Sequence, residues 1–492
     1  MSGRESISDP KERDAMNKPK VKRIILAVLV LLIAGGVYVV QKNRYLEQMP
    51  IGTGSKAKIL GSSVFLSGRD PVVVEAEDLS FHPLFKFFKA KVDYENQRVT
   101  SSLLGTGLFS STAVYREGIG VVLLNGGVTE DAVRAWPKPA VNVEIDQKDP
   151  GAVDWPTGDR TVLYPVFTNI DVAKVKAAGD RLFLESDPNH LLRTRALIVI
   201  HDGCLVYEKY GPRITKNTRL LSWSIAKSFT NALVGILVGQ GKLVLDNPAP
   251  VPEWAGAGDP RRAVTFDQML RMSSGLEWFE AYADRPVSDV NAMLFRKPDM
   301  AAFTASKPLA GPPDSVWNYS SGTANLVQRI IRKTFAADED YWNFPSRALF
   351  DKIGMRSAVW ERDGSGTFVG SSYLYAVARD FARFGLLCLN DGVWLGERIL
   401  PEGWMKYSTT PTPGAPKGRY GAFFWLNAGE SGKPEARPYP KLPADFFSAE
   451  GYQGQMIAIL PSQRIVVVRL GMTYDDNWGM EDFLAEIVSA VK

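Results

Sequence analysis

The sequence predicts an α+β fold: an antiparallel sheet flanked by helices, with an all-α region, preceded by a membrane helix and a small β-rich N-terminal region. Three observations predict it. Apolar runs at 196–200 and 205–207 flank the turn His201-Asp202-Gly203, and runs at 456–460 and 465–470 flank Pro461-Ser462-Gln463-Arg464, so each pair reads as a hairpin. Between the hairpins the apolar residues recur at helical spacing. Strands at both ends of a helical middle are expected to meet on one antiparallel sheet. Residues 24–40 form an apolar run without charge, at the short end for a membrane helix.

The elements follow in order. Lys18, Lys20, Lys22 and Arg23 precede the apolar run, so the N-terminus is expected in the cytoplasm. A cleaved signal peptide ending near Ala34-Gly35-Gly36 is the alternative, but apolar residues continue to Val40 and favour an uncleaved anchor. Either reading exports the rest of the chain, onto the periplasmic side of the inner membrane. Residues 1–45 are thus a cytoplasmic tail and anchor, and 41 to about 60 a polar, Gly-containing linker. Residues 59–160 form an accessory region, with strand-like runs at 63–66, 72–74, 91–94, 112–115 and 121–124 and a surface connection from 128 to 159. The main domain covers 169–492, with helices expected at 172–184, from Ser224 through 225–238, at 376–389 before Asn390-Asp391-Gly392, and at 481–491.

Composition narrows the function. The chain has 492 residues, 45% hydrophobic and 23% charged, with a formal net charge of +4. That is ordinary globular composition, and no basic cluster is interleaved with aromatics, which argues against nucleic-acid binding. Two cysteines, Cys204 and Cys388, exclude a disulfide framework and a cysteine metal cluster; two buried free thiols are expected, a single bridge being the alternative. His82, His190 and His201 form no His-Glu-x-x-His motif, and His201 reads as a surface residue at a turn. There is no Gly-x-Ser-x-Gly elbow and no Gly-rich phosphate loop. No cofactor or metal is expected.

One pattern carries chemistry. Ser224-Ile225-Ala226-Lys227 puts a hydroxyl and an amine on one face at the start of an apolar helix. A lysine of depressed pKa can take the hydroxyl proton and make serine a nucleophile without histidine. The same spacing at Ser8–Lys11, Ser55–Lys58 and Ser489–Lys492 lacks that context. Trp317-Asn318-Tyr319-Ser320-Ser321-Gly322 leads into another apolar run; a tyrosine between ammonium groups can have a lowered pKa and serve as base and acid. Gly451-Tyr452-Gln453-Gly454-Gln455 precedes a strand, where glycines allow close approach and a backbone N–H can face that of Ser224 across an oxyanion.

These elements, in this order, resemble the serine β-lactamase and penicillin-binding-protein superfamily, and within it the class C–like branch that holds esterases and 6-aminohexanoate-dimer hydrolases. Ser224-x-x-Lys227 is similar to the first motif, Tyr319-Ser320-Ser321 to the second, and Tyr452-Gln453-Gly454 stands in the place of the third. Met272-Ser273-Ser274-Gly275-Leu276-Glu277-Trp278 and Ala378-Arg379-Asp380-Phe381-Ala382-Arg383-Phe384-Gly385 fit the same branch. Glu280-Ala281-Tyr282-Ala283-Asp284 is similar to a segment that carries a second, substrate-binding tyrosine in the dimer hydrolases. The resemblance implies a β-lactamase/transpeptidase-like fold and an acyl-enzyme mechanism. Ser224, Lys227 and Tyr319 are its implied catalytic residues: Ser224 attacks the carbonyl, Lys227 holds the serine and lowers the cost of proton transfer, and Tyr319 takes the serine proton and returns it to the leaving group. Gln455, Tyr452, Gly454, Tyr282 and Ser321 are implied for the oxyanion and substrate. Two departures argue against β-lactam or D-Ala-D-Ala specificity: Tyr452 replaces the lysine that recognises a β-lactam carboxylate, and Ser321 stands where class C β-lactamases have Asn.

The expected protein is therefore a membrane-anchored serine hydrolase acting on a small or short-oligomer ester or amide. The alternatives are a β-lactam or cell-wall peptide hydrolase and a catalytically silent binding protein using the same cleft.

Overall fold

The two hairpins meet as their patterns demand. In the computed structural model, strand Ile465–Leu470 pairs antiparallel with Ala196–His201, setting Val467 opposite Val199 and Val468 opposite Ile198. The full sheet runs Trp425–Leu426, Phe447–Gly451, Gln455–Leu460, Ile465–Leu470, Ala196–His201, Cys204–Tyr210, and every neighbouring pair is antiparallel. The structure describes residues 44–139, 149–160 and 169–492, except Phe81, Ala283, Asp284, Pro286, Ser431 and Pro434, together with Leu26 and Gln41.

The central strands read as continuous apolar runs because both faces are covered. Ile198, Ile200, Ile457, Ile459, Val466 and Val468 enter one core, shared with the helices Ile225–Gly239 and Ala378–Leu389. The alternate residues Leu197, Val199, Ala458 and Val467 enter a second core, closed by the helices Val172–Arg181 and Met480–Val488. Helix Ile225–Gly239 is buried from Ile225 to Leu237, and its polar residues Lys227, Ser228, Thr230 and Asn231 all bond inside the fold. Its Phe229 stacks on Phe384 with ring centroids 3.8 Å apart.

The N-terminal region departs from expectation. The segment read as a linker is a helix, Tyr45–Gly61, buried from Ile51 onward. Its glycines are contact points: a Cβ on Gly54 would lie 2.5 Å from the Phe295 carbonyl oxygen. The run at 63–66 continues the helix as a wide turn, Ser62–Leu66. The run at 72–74 lies in a helix, Pro71–Glu77, started by the Asp70 carboxylate accepting from the N–H groups of Val72 and Val73. Three β runs do form strands, in a four-stranded antiparallel meander: Phe88–Asp93, Arg98–Leu103, Ser111–Arg116, Gly120–Leu123. The 128–159 connection contains a short helix, Glu130–Ala135, and a buried Trp155 whose indole donates to the Gly203 carbonyl. His201, expected at the surface, is buried at 6% exposure because the hairpin end packs into the fold. Cys204 is half-buried and Cys388 buried, and both are free thiols. Among the described residues no helix is long and apolar enough to cross a membrane; the run at 24–40 lies outside them, Leu26 apart.

Lys58 explains how a polar stretch becomes an interior helix. Its amine, 2% exposed, donates to Glu361 Oε2 at 2.6 Å and to the Val121 carbonyl. Glu361 is fully buried and also accepts from Ser62 Oγ (2.8 Å) and the Val121 N–H (2.7 Å). Burial pushes the Lys58 amine down and the Glu361 carboxyl up, and their mutual attraction and hydrogen bonds oppose both shifts. The pair ties the helix to the main domain.

Removing one partner strands the other charge. Glu361→Gln should destabilise the protein by about 3–5 kcal/mol, and Lys58→Met with Glu361→Leu should recover much of the loss. Urea unfolding followed by tryptophan fluorescence checks this; an unchanged midpoint in Glu361→Gln would remove the pair from the account of stability.

Candidate active site

Ser224 stands immediately before helix Ile225–Gly239 and is 8% exposed. The residue before it, Trp223, takes a left-handed backbone conformation (φ 46°), unusual outside glycine. Its indole donates to Gln453 Oε1 (3.3 Å) and its ring meets Tyr452 edge-on, 5.8 Å between centroids. The serine is thus presented by a turn braced against the hairpin loop of the third motif.

Lys227, one turn on, points inward and is 1% exposed, so it does not reach back to solvent. Its Nζ donates to Ser224 Oγ (2.8 Å), Ser321 Oγ (3.0 Å) and the Ser371 carbonyl (3.3 Å). Burial lowers its pKa to about 8, while the Glu280 carboxylate holds it up. A neutral amine has two hydrogens to give and one lone pair. The Ser371 carbonyl only accepts. Ser321 Oγ already gives its proton to Glu280 Oε1 at 2.6 Å. Of the three partners, only the Ser224 hydroxyl is left to donate to that lone pair. Neutralising Lys227 therefore turns this contact into serine-to-lysine donation.

Glu280 organises the surroundings. Its carboxylate accepts from the Ser321 hydroxyl and N–H (2.6 and 3.0 Å), the Trp278 indole (2.5 Å) and the Tyr282 hydroxyl (2.7 Å). Sequence reasoning missed this residue, although it stands two positions before Tyr282. The acids that flank Trp278 and Phe279, Glu277 and Glu280, were the signal, since an acid in an aromatic segment needs donors around it. The Ser371 carbonyl was also missed and has no sequence signature.

Tyr319 comes to the same point. It shares a hydrogen bond with Ser224, and Lys227 Nζ lies 4.7 Å from its ring centroid. Trp425 stacks on it at 5.3 Å and Tyr420 meets it edge-on at 5.7 Å. The expected lowering of its pKa is overturned: burial and the Glu280 charge push the phenol up, so it stands protonated at neutral pH.

The third motif closes the other side. A Cβ on Gly451 would lie 3.1 Å from the Ser224 nitrogen and 2.3 Å from the Ser222 carbonyl oxygen, so only glycine lets the strand pass the serine. Gln455 pairs with Gly451 across the hairpin. Its side chain is spent on the Gly471 carbonyl and N–H (2.7 and 3.0 Å). Gly454 lines the cleft, but its backbone is occupied: the N–H donates to Asp476 and the carbonyl accepts from Arg469. Tyr452 stacks on Tyr282, centroids 4.4 Å apart and 14° between planes. Ser321 is a bridge between Lys227 and Glu280 rather than a cleft wall. The cleft holds about 760 Å³.

A buried Ser-x-x-Lys pair at a helix start, a tyrosine loop and a glycine-bearing strand edge on an α+β sheet define a serine β-lactamase/transpeptidase-like protein. The chain belongs to the beta-lactamase family, whose sequence profile matches residues 186–482. It is 24% identical over 312 residues to the 6-aminohexanoate-dimer hydrolase of Paenarthrobacter ureafaciens, covering 58% of this chain and 74% of the relative. Among solved structures it is similar to EstCE1, a hydrolase with promiscuous acyltransferase activity, at 15% identity and a TM-score of 0.50, over 65% of this chain and 98% of that one. SurE with D-Leu is similar at 19% identity and a TM-score of 0.50, over 65% of this chain and 76% of that one. These two likenesses show the shared fold.

If proton transfer from Ser224 requires neutral Lys227, ester turnover should rise through pH about 8 and level off above it. Glu280 supports the ammonium form, so Glu280→Gln lowers the lysine pKa further. The rising limb of the kcat/KM profile should then move to lower pH, whatever happens to its height. A limb that stays in place would remove Glu280 from control of Lys227.

Proposed function

We propose that this protein hydrolyses an ester or amide through an acyl-enzyme on Ser224. The observation that carries the reading is the enclosed Lys227 amine, whose lone pair, once free, faces the Ser224 hydroxyl. Neutral Lys227 takes the serine proton as Oγ attacks the carbonyl carbon. The N–H groups of Ser224 and Gln455 hold the oxyanion. As the intermediate collapses, the Tyr319 hydroxyl gives its proton to the leaving group and takes in its place the proton that Lys227 received from the serine. Water repeats the sequence to release the acid. This assignment differs from the expectation in one step: Lys227, not Tyr319, is the first proton acceptor, because a phenol pushed up in pKa is not ionised to begin with.

The substrate class follows from charge. The charged residues lining the open cleft are Glu280, Glu450, Asp476, Glu481 and Asp482, all acids, among the described residues. A β-lactam carboxylate would meet no cation there in place of the lysine that Tyr452 replaces. Loss of a charge-assisted hydrogen bond costs about 1.5–3 kcal/mol, or about one to two decades in affinity. Uncharged or amine-bearing esters and amides suit the cleft. With residues 24–40 as anchor, the cleft would work outside the cytoplasmic membrane.

Ser224→Ala should abolish labelling by a fluorophosphonate and lower ester turnover by at least about three orders of magnitude; equal labelling of both proteins would end the acyl-enzyme reading. In wild type, kcat/KM for a p-nitrophenyl ester should exceed that for a chromogenic cephalosporin. A hundredfold preference for the cephalosporin would show that the acidic lining does not govern selection.

A further inference from the structure

A second space lies behind the Tyr282–Tyr452 pair. It holds about 100 Å³, room for about three water-sized groups. Ile51, Ile59 and Phe85 wall it from the N-terminal region, and Leu221, Leu294 and Phe295 from the main domain. Its charged end is paired with itself: Arg69 donates to both oxygens of Asp78 (2.5 and 3.0 Å), and Arg195 bonds the same carboxylate. Three residues, Tyr282, Tyr452 and Gln455, line both this space and the open cleft, and Trp223, next to Ser224, lines it too.

We propose that this pocket takes the acyl chain of the substrate, a short alkyl chain of about three to four carbons, with the Tyr282–Tyr452 pair parting to admit it. The inference rests on the acyl-enzyme reading. The Gln455 N–H fixes where the carbonyl sits. Tyr319, which protonates the leaving group, lines only the open cleft, so the leaving group departs that way. The other substituent of the carbonyl carbon then faces Tyr282, Tyr452 and Gln455, and behind them a largely apolar chamber in which Asp78 is paired with Arg69 and Arg195 and Arg219 donates to the Ser357 carbonyl.

The test is a series of p-nitrophenyl esters from acetate to dodecanoate on the full-length chain, prepared without detergent, with Ser224→Ala as the blank. Each methylene buried should raise kcat/KM about threefold, hence on the order of tenfold from acetate to butanoate, with a fall beyond the length of the pocket. Ser55, buried on the pocket wall and far in sequence from the site, gives the variant. Ser55→Phe should remove the gain with chain length and spare acetate. If that variant does not fold, Leu84→Ala, which widens the pocket, should move the optimum to longer chains. An active enzyme with a flat or falling wild-type profile would overturn the inference while leaving the acyl-enzyme intact. Equal loss on all esters in Ser55→Phe, or an unmoved optimum in Leu84→Ala, would also overturn it. Absence of any Ser224-dependent turnover would instead strike the parent reading.

Discussion

The Lys227 amine is the constraint around which the site is built. An ammonium withdrawn from water costs several kcal/mol unless neighbours replace its hydration. Here the replacements are two hydroxyls and a carbonyl, all neutral, with the nearest charge, Glu280, one side chain further away. That spacing sets the outcome. A carboxylate in direct contact would lock the lysine as a cation; no carboxylate would leave it neutral far below physiological pH. Placing Ser321 between them leaves the amine near its point of balance, where a proton can move either way at little cost.

Elements from distant parts of the chain hold this arrangement. The Ser224 helix is held by the core on its own face of the sheet, and the strand edge at Gly451 must come within van der Waals distance of the serine backbone. Trp223 shows how closely these parts depend on each other. Its left-handed backbone conformation costs energy that packing must offset, and it does so against Tyr373, Tyr452 and Gln453.

Much of this was legible in the sequence. The hairpins at 196–210 and 455–470 declared themselves through turn residues between apolar runs, and the Ser224 helix through its predominantly apolar run. Ser224, Lys227 and Tyr319 were legible as motifs because each lies in a short segment of unusual chemistry. What was not legible depends on long-range contacts. Tyr45–Gly61 looked like a linker because its glycines and lysines signal flexibility and solvent, whereas here the glycines are contact faces and Lys58 meets a glutamate 303 positions away. Tyr319 was misjudged for the same reason: motif spacing shows which groups gather but not how deeply they are buried or which charges act on them, and at the phenol burial and the Glu280 charge prevail.

The Lys58–Glu361 pair has a consequence for where this protein can be cut. The segment that matches the family begins at residue 186, and by homology alone that is where a minimal enzyme would start. A chain begun there would keep Glu361 and lose its cation. It would also bare the face formed by Leu294 and Phe295, against which the Tyr45–Gly61 helix is packed. The front of the molecule is therefore not an appendage that evolution or an experimenter can trim. Any shuffling of this hydrolase into another protein has to carry the first helix with it.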